Sequence, residues 1–315
     1  RTFVRNLSFC LSMLHLPVVH LHRNSYANVM KLVTSESVLR KFIPNVISSV
    51  KGEVPLYDKL LPFLELAEVW VEGTFLSKGV LDFIAGCGDE EVVKVYATKV
   101  VVCEGYKNAI PSLDLILTPN GFGVVSNSNV APASKERVNR LLESLETERD
   151  GAIRLLLSAL PDVPGWCSTA QAEFFCSTLF PNLDICDFIG EGKRLWQKYC
   201  EVRQILLDIE LHVVAHFIGQ EQMDDFRKEA LSPSPSSHIM KSVIRSLRAY
   251  EVQILKQRLN ETAYTVLSPP TALVHIVDVI RNNPSEFPSW HTSDIAKLFE
   301  PPVFENKLED TGYWF

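Results

Sequence analysis

The sequence predicts a mainly α fold, a multi-helix bundle with one small inserted β-hairpin. Three observations carry this. Apolar residues recur at three- and four-residue intervals over several segments, which puts them on single helical faces. One stretch, LDLILTPNGFGVVSNSNVAPASKER at 113–137, breaks that period with two apolar runs around Pro119-Asn120-Gly121. The 315 residues include 46% hydrophobic and 22% charged side chains, the balance of a chain that buries a core.

The first 29 residues stand apart. RTFVRNLSFCLSMLHLPVVHL places basic residues before an apolar run, as a secretion signal does. His15 and Pro17 interrupt that run, no small-x-small cleavage site follows it, and it is too short to span a bilayer. Met30 opens MKLVTSESVLRKFIP like an ordinary start, so residues 1–29 read as an extension or upstream translation. Beyond them we expect a helical module over 30–160, with the hairpin at 113–126, and a second over 168–315.

Thr34 to about Val50 reads as a short helix capped by Thr34 or Ser35, with Val38, Phe42 and Val46 inward and Pro44 bending it. In YDKLLPFLELAEVWVEGTFL, Leu60, Leu64, Ala67, Val71 and Phe75 share one face, and Pro62 is placed in a first turn. Gly86-Cys87-Gly88 ends that segment. The valines of EEVVKVYATKVVVCEGYKNAI individually favour extended backbone. Val92, Val95 or Tyr96, Lys99, Val102, Cys103, Tyr106 and Ile110 nevertheless fit a helical stripe that ends before Pro111.

Leu113–Thr118 and Phe122–Ser126 then form the hairpin. Pro119 sets φ at the first turn position, while Asn120 and Gly121 tolerate the left-handed region that a tight reversal needs. Ser134 is expected to cap a long helix with Val138, Leu141 or Leu142, Leu145, Ala152, Leu156 and Ala159 inward, Arg149 on the wet side and Gly151 permitting close packing. PDVPGWC at 161–167 is the candidate module boundary, followed by capping-box spacing at Ser168 and Gln171.

The second module reads as long helices. Leu195, Tyr199, Val202, Leu206, Ile209, Val213 and His216 make one continuous seam. SPSPSS at 232–237 turns the chain, and the return helix packs through Val243, Leu247, Ile254 and Leu255. Ser268 caps a helix carrying Leu273, Ile276, Val277 and Ile280, FPSWHTSDIAKLFE supplies a last short helix, and the terminal GYWF tucks into a core or interface.

Little of this suggests catalysis. Asp208, His212 and His216 lie four residues apart, so one helical face carries two imidazoles and a carboxylate of the kind that ligate transition metals. The His-Glu-x-x-His order of a zinc-hydrolase helix is missing, and the pair is read as structural or interface histidines. Glu65, Glu68 and Glu72 are read as solubilising. SNSN at 126–129 lacks the Gly-rich loop and Lys-Ser/Thr of a phosphate cradle. We therefore assign no catalytic residue, metal or cofactor. Seven cysteines without a Cys-x-x-Cys pair read as isolated reduced thiols. A net charge of -7 argues against sequence-specific nucleic-acid binding, and no segment suggests a membrane.

A two-stranded ribbon is marginal alone and must pack on helices or pair with another chain. Pro119, Asn120, Gly121 and Phe122, with Asn127 and Asn129 in the following loop, are accordingly the candidate docking element.

YKNAIPSLDLILTPNGFGVVSNSNVAPASKERV and LLPFLELAEVWVEGTFL resemble an uncharacterised family associated with phages and prophages of Bacteroides and related gut bacteria. The resemblance runs from about Met30 to the carboxyl terminus and is strongest in the first half. It carries no catalytic assignment. It implies a noncatalytic virion structural or assembly protein, with a head-to-tail connector as the expected form. Such a protein would be a homo-oligomer meeting portal, capsid or tail proteins in the bacterial host cytoplasm during assembly, and in the virion. Two alternatives stay open: a cytosolic helical interaction or regulatory protein of a prophage, and a metal-dependent enzyme built on Asp208, His212 and His216.

Overall fold

The computed structural model describes residues 30–43, 54–113, 115–118, 121–124, 134–232, 237–260 and 271–300, with side chains described outside 114–133. The chain divides into two compact units, Arg1–Met30 and Lys31–Phe315. The second unit is mainly helical.

Helix α1 (Glu36–Phe42) leads to α2 (Leu56–Val71), a π turn (Glu72–Leu76), α3 (Lys78–Gly86) and α4 (Val92–Leu113). Strands β1 (Leu115–Thr118) and β2 (Gly121–Val124) precede α5 (Lys135–Ala159). Helix α4 packs chiefly on α5 and α2. Its consecutive Val100, Val101, Val102 and Cys103 are all buried, which is possible only where a helix is covered on several sides. A single apolar stripe understates it.

The expected face of α2 is present: Leu60, Leu64, Ala67, Val71 and Phe75 are all buried. Pro62 is not in the first turn, because the helix begins at Leu56. Pro62 and Asp58 are both exposed, so water can serve the carbonyl that proline leaves without a helical donor. At Gly105 an added Cβ would stand 2.8 Å from Leu64 Cδ2 and 3.0 Å from Leu64 Cα, so α2 and α4 meet backbone to backbone there. Gly151, expected to do this work, has nothing within 4 Å of such a Cβ.

Several expected ends move. Helix α4 runs through Pro111 to Leu113, because a proline in a last turn costs one amide bond and the Ser112 hydroxyl donates to the Ala109 carbonyl at 2.8 Å. Ser35 and Ser134 sit at N-cap positions but make no side-chain cap bond. In α1 the buried residue is Leu39, while Val38 and Phe42 are half-buried. Val46, Pro44, the Ser268 cap and the terminal GYWF lie outside the described residues.

The stretch expected to separate two modules is packed. Short turns at Leu160–Asp162 and Trp166–Ser168 lead to α6 (Ala170–Phe175). Trp166 is buried, and its Nε1–H donates to the Phe75 carbonyl at 2.7 Å. Gln171 Nε2 donates to the Gly73 carbonyl at 3.1 Å. A π turn disrupts the regular amide ladder, and these carbonyls of the turn after α2 take donors from residues 166 and 171. The N-cap of α6 is Thr169, one residue beyond the expected serine, accepting from the Ala172 amide at 3.1 Å.

The chain continues through α7 (Asp184–Ile189), α8 (Leu195–Ile209), a second π turn (Glu210–Val214) and α9 (Ala215–Ile218). Next come α10 (Gln220–Leu231), α11 (His238–Leu259), α12 (Thr271–Arg281), α13 (Pro288–His291) and α14 (Asp294–Leu298). The predicted seam holds from Tyr199 to Ile209. The π turn then adds a residue, and burial passes to Val214 and Ile218 instead of Val213 and His216. FPSWHTSDIAKLFE forms two short helices, with Trp290 Nε1 donating to the Phe217 carbonyl at 3.1 Å. No helix among the described residues is long and apolar enough to cross a membrane.

Two glycine substitutions test the close approach. Alanine is the better helix former by about 1 kcal/mol, so Gly151→Ala should stabilise the chain by up to that amount. Gly105→Ala must displace Leu64 backbone as well as side chain and should cost about 1–3 kcal/mol net. Urea melts that rank the two variants equally would remove the argument for a backbone contact at Gly105.

Candidate functional site

The strands of the ribbon pair antiparallel, with Leu115 opposite Val124, Ile116 opposite Gly123, Leu117 opposite Phe122 and Thr118 opposite Gly121. They form a two-stranded sheet, so among the described residues each strand has one edge without a strand partner. Gly121 and Phe122 lie in β2, while Pro119, Asn120, Asn127 and Asn129 lie outside the described residues.

The helices that precede and follow this ribbon in the chain are joined by a buried ion cluster. Arg149 was expected to face water, yet its side chain is buried. Its Nε and Nη2 donate to Asp150 Oδ1 at 2.9 and 2.7 Å, and Nη1 reaches Glu104 Oε2 on α4 at 2.7 Å. Asp150 Oδ2 accepts from the Trp196 amide at 3.3 Å, joining α5 to the start of α8. Burial by itself would raise the Glu104 carboxyl; hydrogen bonds from Lys107 and Arg149 outweigh it and hold the group below its ordinary value. Glu68, read as solubilising, is buried too, and its carboxylate accepts from the Lys31 and Leu32 amides at 2.8 Å each.

Asp208, His212 and His216 do not converge on a ligand. Asp208 Oδ2 accepts from Arg258 Nη1, and His212 Nε2 stands 3.6 Å from Asp208 Oδ1 with its ring mostly in solvent. His216 lies beyond the π turn, on an exposed position of α9. Among the described residues no three His, Cys, Asp or Glu side chains are grouped to hold a metal.

Sequence reasoning missed the acids that are most deeply buried. Glu210 opens the second π turn with no exposed surface. It accepts from the Leu179 amide at 2.7 Å and from Arg227 Nε and Nη2 at 2.9 and 2.7 Å. Arg248 Nε donates to the Leu179 carbonyl at 2.8 Å, so one residue's backbone is gripped from both sides. Glu251, one turn after Arg248, is also fully buried, and neither of its oxygens has a hydrogen-bond partner among the described residues. Burial raises the Glu251 carboxyl well above the ordinary range, and the nearby Glu210 charge adds to it against the pull of Arg227 and Arg248. The available signal was spacing: Glu251 falls four residues after Leu247 and three before Ile254, on the packing face.

Residues 43–175 match a family described as "Family of unknown function (DUF6712)". The match contains α2 through α6 and the ribbon. No curated protein and no solved structure matches the chain.

The buried acid has a measurable consequence. A carboxyl whose folded pKa is raised binds more protons folded than unfolded, so its contribution is fully present below the unfolded pKa and is lost as pH rises through the folded one. Glu251→Gln removes that loss. Relative to the parent, the variant should gain stability as pH rises from about 4.3, by at most about 1.4 kcal/mol per pH unit, and be the more stable at pH 7. Denaturant melts in which the two proteins keep a constant stability difference from pH 4.5 to pH 7 would show Glu251 ionising normally.

Proposed function

We propose that this chain is a noncatalytic phage structural or assembly subunit of the head-to-tail connector type, with the β1–β2 ribbon as its docking element. The observation that carries this reading is a strand pair whose outer edges have no strand partner among the described residues, lying in the chain between α4 and α5, two helices joined by a buried ion pair. Unpaired amides and carbonyls along a strand edge are a template for pairing with a neighbouring chain. A rigid base lowers the entropy lost when such an edge is ordered on a partner.

Reuse of one heterologous contact around a rotation axis would give a ring, as a connector needs. The phage setting rests on the resemblance of the ribbon and α2 segments. In that setting the subunit assembles with its own copies and with portal, capsid or tail proteins, in the host cytoplasm and then in the virion. Recognition is by protein surfaces, with no cofactor.

Replacing residues 119–129 with a short Gly/Ser turn removes β2 and separates docking from scaffolding. Helical circular dichroism and cooperative unfolding should persist, while sedimentation shows weakened self-association or loss of binding to portal and tail proteins. Global unfolding of the variant would make the ribbon an internal scaffold. Full retention of folding and of every assembly contact would overturn the docking reading.

A further inference from the structure

A second surface, remote in sequence from the ribbon, has a defined chemistry. Along α11, Lys241, Arg245, Arg248 and Lys256 line a groove of about 680 Å³ bounded by α7 and the end of α10. Among the described lining residues Glu229 is the one acid, so their formal charge is four positive less one negative, or +3. The whole chain carries -7, which makes this a local reversal of sign. Lys241, Arg245 and Lys256 are exposed, and none has an ion-pair partner among the described residues. Arg248 is set deeper, its Nε already donating to the Leu179 carbonyl.

Between the cations the groove is apolar. Phe188 of α7 is 51% exposed, and it shares the lining with Ile244, Ala249, Val252 and Ala230. Lys241 to Lys256 spans about 22 Å of helix at about 1.5 Å per residue. A partner helix of about fifteen residues has that length, with an apolar stripe to cover Phe188 and Val252 and acids to meet the cations.

We infer that this groove docks an acidic amphipathic helix of a partner protein. A nucleic-acid backbone would satisfy the cations but leave the apolar floor uncovered. Phosphate contacts gain nothing from Phe188 or Val252, whereas an amphipathic helix uses both kinds of lining. The cations set its orientation and exclude basic helices, and the floor contributes the desolvated contact.

The test uses the full chain and a fluorescein-labelled helical peptide of about sixteen residues, with leucines at three- and four-residue intervals and glutamates flanking them. Anisotropy should show saturable binding that weakens as salt rises from about 50 to about 300 mM. Lys241→Glu with Arg245→Glu should weaken it at least about tenfold, the size expected for reversing two contacts of a steering patch. Phe188→Ala, at a half-exposed ring that also meets Phe180 edge to face, should weaken it separately while cooperative unfolding is retained. The same peptide with lysines for glutamates should not bind. Absence of binding, equal affinity for the lysine peptide, or unchanged affinity in the double variant would overturn the inference. So would duplex DNA that binds through Lys241 and Arg245 and is not displaced by the acidic peptide.

Discussion

The arrangement of the first half depends on how closely α2 can lie on α4. Gly105 supplies no Cβ where Leu64 brings its own backbone within 3.0 Å of the position one would occupy. That approach leaves little room between the helices, and Val100, Val101, Val102 and Cys103 of α4 are buried there. Any side chain at 105 would push α2 outward. Phe75, which stacks on Phe175 with centroids 5.8 Å apart and meets Trp196 at 5.0 Å, would then lose its place.

Charges placed inside this core follow two different solutions. Arg149 has two carboxylates within hydrogen-bond reach, and one of them, Asp150, also takes a backbone amide from another helix. That cluster is close to satisfied, so its desolvation is largely compensated and it fixes the relation of α4, α5 and α8. Glu251 has no hydrogen-bond partner among the described residues. Burial chiefly, and the charge of Glu210, which holds Arg227 and the Leu179 amide, push its carboxyl well above the ordinary range against the pull of Arg227 and Arg248, which favours the protonated form. One buried acid is thus a structural joint and the other a neutral filler with a pH-dependent cost.

Helical periodicity was legible over Leu60 to Val71 and Tyr199 to Ile209, where the backbone kept the α period. The failures have physical causes that one-dimensional spacing does not encode. A π turn advanced the seam after Ile209, so His216 was placed inward and lies outward. Arg149, Glu68 and Glu251 carry charge, and charge predicts solvent unless the partners are known; for Arg149 and Glu68 those partners lie in distant segments, and among the described residues Glu251 has none. Gly151 and Gly105 are equivalent in sequence terms, and only the approach of Leu64 distinguishes them. The metal reading of Asp208 depended on spacing alone, and Arg258, fifty residues away, takes that carboxylate.

The two π turns bond to residues within and just after 161–167. The turn after α2 offers the Gly73 and Phe75 carbonyls, which Gln171 and Trp166 take from the far side of the supposed boundary. The turn after α8 begins with Glu210, whose carboxylate reaches back to the Leu179 amide and forward to Arg227. Each irregular turn therefore anchors a segment that has no regular structure of its own to hold it. The buried Trp166 indole N–H and the buried Leu179 amide each find their acceptor in one of these irregular turns. These long-range bonds tie residues 166, 171 and 179 to helices elsewhere in the chain.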